Sequence, residues 1–152
     1  MMKYEHLLGI PFKHGVDDCY TLLQRFYADN FGVTLSEYAR PSKWWDQGMD
    51  LYMANAYEEG FRGVDCHPSK WQPGDVFLIA VGARVACHAA INLGDGTILH
   101  HYTDRLSERI TYGGIWRNMT LGVFRHKDVK PKAADMKQMD LMDLLPANKR
   151  GR

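Results

Sequence analysis

The chain is poor in cysteine and has no dominant charge. Its 152 residues include three cysteines, Cys19, Cys66 and Cys87, an odd number, widely spaced and without a CxxC pair. A disulfide framework is therefore not what organises the fold, and each thiol has to be judged by its surroundings. The 19 Lys and Arg against 18 Asp and Glu leave a formal net charge of +1. Phosphate binding usually demands a strong basic excess, so nucleic acid is not expected as a partner. The small positive cluster at Asn148–Arg152 reads as a solvated chain end. No apolar run reaches the ~18–20 residues of a membrane-spanning helix. Met1–His6 is not followed by the apolar core of a secretory signal, so synthesis in a cytoplasm is expected. The GxxxxGKS/T and GxGxxG loops that cradle phosphates are missing, as are internal repeats and low-complexity stretches.

What is present has globular proportions, with 45% hydrophobic and 24% charged residues. The length fits a single domain of the common ~100–150 residue size, able to bury a core without disulfide or metal staples. The first half reads helical and the second half reads as strands, an α+β order. Cys19–Phe31 carries apolar residues at Leu22, Leu23, Phe26 and Tyr27, the stripe of a helix buried on one face. Asp17 and Asp18 are cap candidates before it, and Gly32 ends it. A second helix is expected over about Trp44–Glu59, with Trp45, Met49, Tyr52, Met53, Ala56 and Tyr57 on one side. It reads as a core-covering helix, or else as an aromatic platform for a ligand.

Beyond the Pro73-Gly74 turn, strands are expected at Val76–Ala80, Val85–Leu93, Ile98–Tyr102, Arg109–Tyr112 and Leu121–His126. The composition then shifts. We divide the chain into a domain at 1–130 and a Met-rich tail at 131–152. Within that tail Met136–Leu145 either docks on a partner or folds back on its own domain.

Cys19 falls in the first turn of its helix, where the positive end of the dipole favours a thiolate. Asp17 and Asp18 oppose that charge, so a nearby imidazole is needed to hold it. Among the seven histidines, His88 and the pair His100-His101 stand out, one on each arm of a hairpin through Leu93-Gly94-Asp95-Gly96-Thr97. Each by itself is compatible with a plain strand histidine. Together with Cys19 they have the makings of a nucleophile, a general base and an orienting group. A three-residue loop puts His100 on the face of His88, whereas a two-residue loop puts His101 there. Cys66-His67 and Cys87-His88 could in principle supply a zinc site. Neither pair has metal-ligand spacing, and strand neighbours point to opposite faces, so no metal is assigned.

A helix opening on Asp18-Cys19-Tyr20-Thr21-Leu22 comes first. The turn Gln72-Pro73-Gly74-Asp75-Val76 follows, and then a hairpin running from His88 to His100, twelve residues apart. This order resembles the NlpC-type cysteine peptidases, a papain-like family that cuts peptidoglycan stem peptides. Pro11-Phe12-Lys13-His14-Gly15 and the stretch Arg105–Trp116 resemble the branch of that family found in phage tails. The resemblance covers about Tyr4 to Lys127. It implies a papain-like NlpC-type α+β fold, with N-terminal helices on a five- to six-stranded antiparallel sheet.

It further implies Cys19 as nucleophile, His88 as base and His100 as orienting group, with no cofactor. The implied substrate bond joins a D-γ-glutamyl residue to the diamino acid of a stem peptide. Phage tail tip proteins are the implied partners. The implied location is the host cytoplasm during synthesis and the virion tail tip afterwards. A non-catalytic tail component with an occluded triad is the alternative. Many family members carry a tyrosine hydroxyl near the oxyanion site, and Phe12 stands at its place here. Phe12, His14 and Asp18 are the candidates for contact with substrate, with His14 able to replace the missing donor. Cys66 and Cys87 are expected to be buried structural thiols.

Overall fold

The structure, a computed structural model, describes residues 2–129. The expected tail at 131–152, with its Met-rich segment, lies outside the described residues. Helix α1 spans Cys19–Phe31 as the apolar stripe predicts, burying Tyr20, Leu22, Leu23, Phe26 and Tyr27. The Asp18 side chain caps it by accepting the Thr21 N–H at 2.9 Å, and Gly32 closes it in the left-handed region at φ 65°.

The second helix differs from expectation. Instead of one element it is a 3-10 turn at Trp44–Gln47 followed by a short helix α2 at Leu51–Ala56. Gly48 between them adopts φ 76°, which interrupts the helical ladder, and Asp50 caps a fresh start by accepting the Met53 N–H. The aromatic side chains remain, but on two short pieces separated by the Gly48 break. Tyr52 is thereby turned toward the start of α1.

Six strands form one sheet in the order β1-β6-β2-β3-β4-β5. They are β1 Phe61–Gly63, β2 Val76–Ile79, β3 His88–Asn92, β4 Thr97–His100, β5 Glu108–Thr111 and β6 Thr120–His126, and every neighbouring pair is antiparallel. β1 and the short helix α3 at Gly114–Asn118 were not expected. Three residues with Arg62 and Gly63 among them show no alternation, and α3 begins on a glycine at φ 56°. β3 starts three residues later than expected, because Val85–Cys87 stays in the connecting loop. β4 ends at His100, two residues early, and Tyr102 is the acceptor of a turn closed by the Arg105 N–H.

The sheet is buried on both faces at its centre, so Val76–Ile79 reads as one unbroken apolar run. Val76, Leu78, Ala89, Ile91 and Leu99 pack with α1. Phe77, Ile79, Ala90 and Ile98 face the other way, covered by Trp71, Tyr112 and Trp116. The Pro73-Gly74-Asp75 turn is locked into this frame. Buried Asp75 accepts from the Gln72 N–H and from Arg125, and the Tyr27 hydroxyl donates to the Gly74 carbonyl. No helix among the described residues is long and apolar enough to cross a membrane.

Candidate active site

The hairpin between β3 and β4 fixes which histidines meet. Ala90 pairs with His100 and Asn92 with Ile98, and the Leu93 N–H donates to the Thr97 carbonyl, the register of a three-residue loop. His88 and His100 therefore lie diagonally on one face. Their nitrogens, His88 Nε2 and His100 Nδ1, are 2.9 Å apart in a buried hydrogen bond. Trp116 packs against both rings, with centroids at 5.6 Å and 4.7 Å. His101 points the other way, where its Nε2 meets the Arg105 carbonyl at 3.0 Å.

Cys19 and His88 line one narrow cleft, partly open to solvent, together with Phe12, His14, Tyr52 and His101. Among the described residues no hydrogen bond joins the Cys19 thiol to His88. The Cys19 Sγ instead sits 2.9 Å from the Tyr52 hydroxyl. Burial, and then the Asp18 charge, push the Cys19 thiol up to about 11, with the Tyr52 hydroxyl and the Ala89 backbone pulling the other way. In this state the helix dipole is outweighed and the thiol is protonated. Burial also holds His88 well below the usual imidazole range, and the neighbouring His100 and His101 add to the effect. Burial lowers His100 too, partly offset by Glu108.

The remaining candidates take more defined places. Asp18 is consumed by structure. It receives the Thr21 and Gly15 N–H groups and pairs with Arg40 Nε at 2.8 Å, both side chains nearly buried. Burial raises its carboxyl, but these donors more than compensate and hold it below the usual range. His14 Nε2 meets the Arg40 carbonyl at 2.8 Å. The Phe12 ring stands edge-on to His101 at 5.3 Å. Cys66 is exposed and Cys87 half-buried, so Cys66 is not the buried thiol expected of it. No cluster of three or more His, Cys, Asp or Glu suited to a metal occurs among the described residues.

Tyr52 and Arg40 are the residues that sequence reasoning missed here. Tyr52 was visible as one aromatic among several on a helical stripe. Its spacing carries no sign of a contact with a thiol thirty-three residues earlier. Arg40 lies outside any helix or strand and shows its role only through Asp18.

A cysteine opening a helix that packs on an antiparallel sheet, sharing its cleft with a histidine that is hydrogen-bonded to a second, buried one, defines a papain-like α+β arrangement. More particularly, the chain belongs to the NlpC/P60 family, whose profile matches residues 9–125. It is similar to tail tip assembly protein K of Escherichia phage lambda, at 41% identity over 122 residues. It is also similar to tail tip assembly protein K of Escherichia phage N15, at 35% identity over 130 residues. The matched regions cover 80% and 84% of this chain but only 60% and 52% of those proteins, so the chain spans little more than half their length.

Among solved structures, an NlpC/P60 family protein from Bacillus cereus superposes with a TM-score of 0.54 at 20% identity, covering 80% of this chain and 37% of that one. A lipoprotein-like NLP/P60 family protein from Staphylococcus aureus gives 0.55 at 18% identity, covering 80% and 38%. These likenesses establish the fold.

Proposed function

We propose that the chain is a phage tail-associated cysteine peptidase that hydrolyses a stem-peptide amide bond after a D-γ-glutamyl residue, with Cys19, His88 and His100 as its triad. The observation that carries this reading is the His88–His100 hydrogen bond of 2.9 Å at a cleft shared with Cys19, in an NlpC/P60 chain. Substrate entry moves the Tyr52 hydroxyl off the thiol, and the Sγ proton passes to His88 Nδ1. The thiolate attacks the carbonyl carbon, and the Cys19 backbone N–H at the helix N-terminus faces the oxyanion. The intermediate collapses by breaking the C–N bond, with His88 giving its proton to the leaving amine. Water, deprotonated by His88, then attacks the thioester, releasing a carboxylate and restoring the thiol. None of these steps uses a cofactor.

The names of the lambda and N15 relatives support tail tip proteins as partners and a phage tail location. Synthesis in the host cytoplasm and a final place in the virion tail tip belong to the same proposal. Incubation with a defined stem peptide, read by mass spectrometry, tests the chemistry. Wild type cleaves, and Cys19→Ala folds normally but does not cleave. Full activity in Cys19→Ala contradicts the mechanism. A second reading, a tail tip component whose triad stays occluded, is favoured by the Cys19–Tyr52 contact that holds the thiol away from an imidazole. It predicts an inert free chain that nevertheless assembles with tail proteins.

A further inference from the structure

The histidine pair does not end at His100. His100 is 0% exposed, and its Nε2 has no hydrogen-bond partner among the described residues. The carboxylate facing it is Glu108, with Oε1 at 3.6 Å, too long for a full hydrogen bond and within ion-pair reach. The sheet sets this approach, since His100 and Glu108 are directly paired across β4 and β5. Glu108 has no other ion-pair partner among the described residues.

We propose that Glu108 is a positioning residue that sets the proton arrangement of the His88–His100 pair. A carboxylate only accepts, so it selects the form of His100 with its proton on Nε2. Nδ1 of His100 is then the acceptor, and His88 must carry its own proton on Nε2. The lone pair of His88 Nδ1 is left free for the Cys19 proton. The opposite arrangement aims the His100 Nε2 lone pair at the carboxylate and places a proton on His88 Nδ1, where it blocks the base. One charge at the far end of the relay thus decides whether the near end can act.

The other charged or titratable groups around His100 are His88, His101 and Arg105. Burial, Arg105 and His101 disfavour a positive ring, and Glu108 favours it. The pair accordingly rests neutral, and a tautomer choice is the form in which Glu108 acts. Trp116 against both rings keeps the pair in one geometry.

The catalytic consequence rests on the peptidase reading above, whereas the proton arrangement does not. Long-range proton–nitrogen NMR of the imidazoles in the whole chain reads the tautomers without any substrate. In the wild type both His88 and His100 carry the proton on Nε2. An amide can either accept or donate, so Glu108→Gln also loosens the tautomer choice, while its lost charge moves the pH midpoint of His100 downward. Glu108→Leu gives mixed tautomers and a loss of stem-peptide cleavage of roughly tenfold or more.

A proton on His100 Nδ1 in the wild type overturns the proposal. So does a Glu108→Gln chain with an unchanged His100 midpoint, a result that stands even if Glu108→Leu fails to fold. A wild type with the stated tautomers that cleaves no stem peptide supports the Glu108 assignment and counts against the peptidase reading alone.

Discussion

At the scale of single residues the cleft poses one problem: the proposed nucleophile is hydrogen-bonded to a tyrosine and not to the proposed base. The Cys19 Sγ meets the Tyr52 hydroxyl at 2.9 Å, while His88 is turned to His100. A thiol raised to about 11 reacts slowly with alkylating reagents at neutral pH, because the thiolate is the nucleophile. The Tyr52 hydroxyl stabilises what thiolate exists. Tyr52→Phe is therefore expected to move the pH profile of Cys19 alkylation to higher pH, as followed by mass spectrometry of the labelled peptide. An unchanged profile means that the hydroxyl does not bear on the thiol.

The elements show how local chemistry places the site. Asp18 caps α1 and pairs with Arg40 at once, so Asp18→Ala removes a cap and leaves the buried Arg40 guanidinium with the exposed Glu37 as its remaining ion pair. The expected cost is about 3 kcal/mol in urea unfolding. Asp18→Asn, which retains a capping oxygen, is expected to lose about half of that. Gly74 has φ +96°, and a Cβ there meets the Phe31 ring at 2.6 Å. Gly74→Ala is expected to cost about 1–3 kcal/mol, seen as a lower melting temperature.

The α1 helix and its caps were legible in the sequence because the stripe, Asp18 and Gly32 all point to the same answer. The strands were legible as apolar runs, but their ends were not, since Val85 and Tyr102 are strand-like residues that the loops claim. The choice between His100 and His101 depended on loop length, which Gly94-Asp95-Gly96 leaves open until the register is seen. α2 was misjudged because the aromatic stripe continues across Gly48 while the backbone does not. Tyr52 at the thiol and Glu108 behind His100 are products of that backbone break and of sheet register, neither of which has a local signature.

For the whole molecule, the histidines and the thiol define a window of stability. His88, His100 and His101 are all held below the ordinary imidazole value, chiefly by burial. The unfolded chain then binds more protons than the folded one as pH falls below ~6.5. Stability is complete above that value and declines toward acid. Cys19 works in the opposite sense. Its raised value favours the folded state while the thiol is protonated, and that contribution fades as pH rises from the ordinary thiol range toward about 11. Burial raises Cys87 and the Tyr20, Tyr38 and Tyr52 hydroxyls as well. Urea midpoints at neutral, mildly acidic and alkaline pH check both limbs, and Cys19→Ala should lessen the alkaline decline without abolishing it and leave the acid limb unchanged.

The most direct test of the account is to treat the folded chain with a stem-peptide analogue carrying a thiol-reactive carbonyl and to locate the adduct by mass spectrometry. Cys66 is exposed and Cys19 is not, so an unguided reagent favours Cys66. The account predicts an adduct on Cys19, suppressed by excess stem peptide and lost in His88→Ala. Modification confined to Cys66, or labelling of Cys19 that neither competitor nor His88 affects, would contradict it.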